Sequence, residues 1–87
     1  MLKNKTKLPF EELTWLHGDK IKQLANRYPD LEFELNHWRL RVVGDSDSLF
    51  TFLAKEIPEN SLNFVVDRPY FEVMDDKKAV SWCVYPN

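Results

Sequence analysis

Residues 31–43 read LEFELNHWRLRVV, from Leu31 to Val43, and this stretch decides the fold. Folded about a two-residue loop at Asn36-His37, it satisfies two patterns in one register. Leu35 faces Trp38, Phe33 faces Leu40 and Leu31 faces Val42 on one side. Glu34 faces Arg39 and Glu32 faces Arg41 on the other. Strand side chains alternate between faces, so a slip of one residue would bury the charges. Each opposite-charge pair contributes ~0.2–1 kcal/mol, while the apolar row supplies core. The expectation is an antiparallel hairpin with His37 exposed in its turn, where a tight loop needs positive φ and Asn and His tolerate it.

The chain around this hairpin is 87 residues long, which is one domain able to bury a little over ~60% of the surface its unfolded form exposes. Six Phe, three Trp and three Tyr make the core aromatic. Each such ring can bury ~150–250 Å², so no disulfide or metal staple is required. The first eight residues, MLKNKTKL, are polar and basic without periodicity and read as a flexible tail, leaving 9–87 as the single domain. Pro9 to His17 fits a helix start, with Glu11 and Glu12 in the first turn and Phe10, Leu13 and Leu16 at helical spacing. The aromatic and β-branched run at 13–16 keeps a strand open as the alternative.

Upstream of the hairpin, Gly18 breaks the chain and Asp19 reads as a helix N-cap. Ile21, Leu24, Ala25 and Tyr28 then fall on one apolar face until Pro29-Asp30 ends the helix. Downstream, Asp45 or Ser46 caps a second helix from Asp47 to Ile57, with Leu49, Phe50, Leu53 and Ile57 as its apolar stripe and Pro58 closing it. Ser61 to Asp67 reads as a strand with Leu62, Phe64 and Val66 on one face. A last hairpin joins Tyr70–Met74 to Ala79–Tyr85 through Asp75-Asp76-Lys77-Lys78. Counting from that turn pairs Val73 with Val80 and Phe71 with Trp82, which would place Phe71, Val73, Val80, Trp82 and Val84 under the helices.

These elements define a two-layer α+β domain, an antiparallel sheet of about five strands with two or three helices on one face. If 12–16 is a strand, the order becomes a ferredoxin-like β-α-β-β-α-β plus the C-terminal hairpin.

Chemistry-bearing residues are sparse. The two imidazoles, His17 and His37, have no further ligand or acid at catalytic or zinc spacing, so neither a metal nor a cofactor is expected. His17, next to a helix end, should carry a partly charged ring. Asp45-Ser46-Asp47-Ser48 resembles the opening of a calcium loop but lacks the glycine and glutamate that complete one, and helix capping accounts for it. Cys83 has no acid or base beside it in the sequence and reads as strand packing. An enzyme is therefore not expected.

Twelve basic against fourteen acidic residues give a net charge of −2, the opposite of a phosphate-binding footprint. With Arg39 and Arg41 neutralised by Glu34 and Glu32, nucleic-acid binding is disfavoured. The single cysteine and the lack of an apolar leader after Met1 point to a reducing cytosol. No apolar run approaches the ~20 residues of a membrane-spanning helix.

The C-terminal hairpin's second face is mixed. Tyr70, Glu72, Met74, Cys83 and Tyr85 lie there with Ala79 and Ser81, and this face or a free sheet edge is the candidate surface for a protein partner or a second copy. The leading expectation is a small non-enzymatic interaction or self-associating module. The alternatives are a nucleic-acid-associated accessory protein using the basic tail, and an enzyme subunit active only within a larger assembly.

Overall fold

The computed structural model describes residues 15–85, leaving the basic tail and residues 9–14 outside the described residues. Trp15 to His17 are helical and turn residues rather than strand. The elements that follow are helix α1 (Gly18–Arg27), strands β1 (Glu32–Asn36) and β2 (Arg39–Gly44), helix α2 (Ser46–Glu56), and strands β3 (Val65–Val73) and β4 (Lys78–Val84). The sheet is antiparallel throughout, in the order β1-β2-β4-β3. Helix α1 rests on β1 and α2 on β2 and β4, so the fold is the two-layer α+β arrangement read from the sequence.

Among the described residues, five paired segments lie on four strands. The expected strands Ser61–Asp67 and Tyr70–Met74 are parts of one, because residues 61–64 form turns and β3 runs on from Val65 through Pro69. Val66 lies opposite Cys83 and Tyr70 opposite Ser81, so β3 advances four residues where β4 advances two. The irregularity at Asp67–Pro69 takes up the difference, and it is where a proline can sit without breaking a ladder.

The first hairpin keeps its faces and changes its partners. His37 and Trp38 have φ of 50° and 67°, so they are the two loop residues of a tight turn with positive φ at both positions. Asn36 therefore joins the ladder opposite Arg39, Glu34 faces Arg41, and Glu32 faces Val43, correcting the expected Glu34–Arg39 and Glu32–Arg41 pairs. A slide of two residues preserves alternation, so Phe33, Leu35, Leu40 and Val42 remain the buried row. Trp38 leaves that row for the turn. Its ring meets Trp15 edge-to-face at 5.0 Å, and its carbonyl accepts from the Val84 amide at 2.8 Å. The same slide brings Gly44 level with Leu31. The Leu31 side chain occupies the space a β-carbon at 44 would need, so glycine lets Leu31 fold under the sheet end.

The helices differ from expectation at their ends and in one rotation. Helix α1 buries Ile21, Leu24 and Ala25, with Tyr28 half-buried at its end, as its spacing indicates. The bend before it lies at His17, in the left-handed region at φ 60°, and Asp19 sits in the first turn instead of capping. His17 thus precedes a helix start, not an end, and its ring stacks on Phe64 at 5.3 Å. Burial, assisted by Lys20, pushes its imidazole below the usual histidine value. The carboxylate of Asp45 caps α2 by accepting from the Ser48 amide at 3.1 Å.

The buried stripe of α2 is Leu49, Phe52 and Glu56 with Leu53 partly covered, while Phe50 and Ile57 face out. That is the strict i, i+3, i+4, i+7 set, and it carries a carboxylate into the interior. Phe52 anchors the core between Tyr28 and Phe33, edge-to-face to both at 5.0 and 5.6 Å. Glu56 is tolerated because Arg27 reaches both its oxygens at 3.3 Å and the Tyr28 hydroxyl donates to it.

Candidate interaction surface

The face of the sheet away from the helices is shaped by the small residues of β4. Ala79, Ser81 and Cys83 alternate there, flanked by Arg39 and Arg41 on β2 and by Tyr70 and Glu72 on β3. The arginines lie across this trough. Arg41 Nε meets Glu72 Oε1 at 3.0 Å, Nη1 meets Glu34 Oε1 at 3.2 Å, and Nη2 lies 3.7 Å from Met74 Sδ. One guanidinium thereby ties β1, β2 and β3 over the top of β4. Its hydrogen bond to Glu72, and then that to Glu34, outweigh its desolvation and raise its pKa further. Arg39 donates to Ser81 Oγ at 3.3 Å and lies 3.2 Å from Cys83 Sγ. Under this cover Ala79 and Ser81 are buried although, among the described residues, no helix lies on that side.

The sequence-derived surface residues separate accordingly. Glu72 and Met74 are gathered by Arg41, and Cys83 by Arg39. Tyr70 is exposed beside a shallow cleft of about 320 Å³ bounded by Asn36, Arg39 and Ser81. Tyr85 is exposed past the end of β4, where its amide donates to the Phe64 carbonyl at 2.8 Å. Between Ser81 and Tyr85 the strand rises ~13 Å, so the two tyrosines do not share one patch. Arg39 bonds to neutral partners rather than to Glu34, and Arg41 pairs with Glu34 and Glu72 rather than with the expected Glu32.

Sequence reasoning missed Phe71 and Val73. Met74 and Lys77 exchange backbone hydrogen bonds of 2.8 and 3.4 Å, so the turn is Asp75-Asp76 alone. Val73 therefore pairs with Lys78 and Phe71 with Val80, two residues from the expected register. Both side chains stay on the helix side of the sheet but slide beyond the helices' cover. Tyr70, Phe71 and Val73 are 59%, 54% and 78% exposed. The signal that could have located them is the Asp-Asp pair, which is a complete two-residue loop.

The backbone alternation follows from the same turn. Met74, Glu72 and Tyr70 bond inward to β4, which leaves the amides and carbonyls of Phe71 and Val73 directed off the sheet. Upstream, the irregularity and Pro69, which has no N–H, interrupt that edge. Among the described residues, the open part of β3 is the run Tyr70–Met74.

Among the described residues no three metal-ligating side chains come together, and no helix is long and apolar enough to cross a membrane. Compared with family models, with curated proteins and with solved structures, the chain matches none.

Proposed function

We propose that this domain is a non-enzymatic protein-interaction module that takes an extended strand along the open edge of β3. One observation carries the reading. Among the described residues, Tyr70, Phe71 and Val73 stand exposed on edge strand β3, whose Phe71 and Val73 backbone groups point outward. An added strand gains main-chain hydrogen bonds from that edge and side-chain contacts on both of its faces. Its polar neighbours are already satisfied within the sheet, since Arg41 holds Glu72. A reducing cytosol suits its single cysteine.

The test is selection from a displayed library of extended peptides, with amide chemical shifts used to locate binding. Shifts confined to Tyr70–Met74 and loss of binding in Phe71→Lys support the reading. Binding centred elsewhere, or unaltered by Phe71→Lys, overturns it.

A further inference from the structure

We infer that the strand accepted by β3 is β3 of a second copy, antiparallel and centred on Glu72, an inference that rests on the strand-addition reading above. Among the described residues, Phe71 and Val73 present the outward backbone groups downstream of the Pro69 irregularity. Self-pairing about Glu72 sets Phe71 against Val73 of the second copy and Val73 against its Phe71. All the open donors and acceptors are then used, in two hydrogen-bonded pairs.

Shifting the centre upstream spoils this match. Centred on Phe71, Val73 would face Pro69, and centred on Tyr70, Phe71 would face Pro69. In either case a carbonyl meets a residue with no N–H.

The side chains agree with the same register. Phe71 meets Val73 on the helix side, and Tyr70 meets Met74 on the other, each pair drawn from residues that share a face. At the axis the two Glu72 carboxylates approach, and each keeps its own Arg41 at 3.0 Å. The dimer is weak. Two aromatic rings and a valine supply on the order of 300 Å² per copy, against about 800 Å² per partner in a standard interface.

Sedimentation equilibrium of the full chain over a wide concentration range tests this. The wild type is expected to show a reversible monomer–dimer equilibrium, and Phe71→Lys and Val73→Lys to weaken it at least about tenfold with unchanged circular dichroism. A wild type that is monomeric throughout, or a Phe71→Lys protein that dimerises as well as the wild type, overturns the inference. If the chain stays monomeric yet binds selected peptides through Phe71, the second copy is excluded and strand addition stands. If it does neither, both fall.

Discussion

The Tyr28 hydroxyl donates to the carboxylate of Glu56, joining the end of α1 to the end of α2 across 28 residues of sequence. Glu56 is wholly buried and closes α2, where the helix dipole disfavours an anion. Arg27, half in solvent, supplies the compensating charge, and the Ser61 side chain adds a further hydrogen bond. Tyr28→Phe should therefore lower stability by about 1–3 kcal/mol, the range for leaving a buried acceptor short of a partner. Urea unfolding checks this, and an unchanged midpoint would show that water replaces the phenol at no cost.

The same cluster sets a dependence on pH. Burial alone would raise the Glu56 carboxyl, but the bonds from Tyr28 and Ser61 and the charge of Arg27 outweigh it and hold the pKa below the ordinary value. A depressed folded pKa contributes stability above the unfolded pKa of about 4.3 and loses it as pH falls through the folded value. Thermal midpoints should fall on acidification below that point, less steeply in Glu56→Gln. At the alkaline end, burial first and Glu56 second push the Tyr28 phenol up to about 12. That contribution is full below the unfolded pKa of about 10 and is lost as pH climbs to the folded value. A phenolate absorbance titration should show a late transition that Tyr28→Phe removes.

Gly44→Ala tests the hairpin register. In the observed pairing a β-carbon at 44 collides with the Leu31 side chain. The cost should be about 1–3 kcal/mol, as for overpacking elsewhere, and Leu31→Ala in the same chain should recover part of it. A Gly44→Ala protein as stable as the wild type in urea would mean that Leu31 does not lie beneath that strand end.

Trp38 holds a left-handed backbone, at φ 67°, that costs a bulky residue of order 1–3 kcal/mol. Its contact with Trp15 offsets part of this, since edge-to-face pairs contribute ~0.5–1.5 kcal/mol beyond burial. Trp38→Gly should then change stability by less than Trp15→Ala, because it removes strain together with the contact. A double-mutant cycle on the two positions should return a coupling of ~0.5–1.5 kcal/mol. A coupling near zero would separate the rings energetically.

What the sequence made legible follows from parity. Alternation assigned Phe33, Leu35, Leu40, Val42, Val80, Trp82 and Val84 to the core side, and all are buried. Alternation does not distinguish registers two residues apart, and both hairpins moved by that amount. His37-Trp38 was hard to see as a loop because tryptophan is a poor choice for positive φ, whereas Asn36 is a good one. Glu56 could not be read as buried because its partners arrive from α1. At the candidate surface Tyr70 was legible, as an aromatic on the mixed face. Phe71 and Val73 were hidden by the same two-residue ambiguity.

The irregularity at Asp67–Pro69 also governs how far association can go. Fibril growth needs a long, flat edge that each arriving chain both covers and renews. Here proline and a shifted register leave β3 a short reach, which the self-pairing proposed above would exhaust. At the opposite edge of the sheet, β1 is five residues long and carries two glutamates, which resist stacking of like chains. A sheet built this way tolerates sticky residues on its rim while denying them a template that propagates.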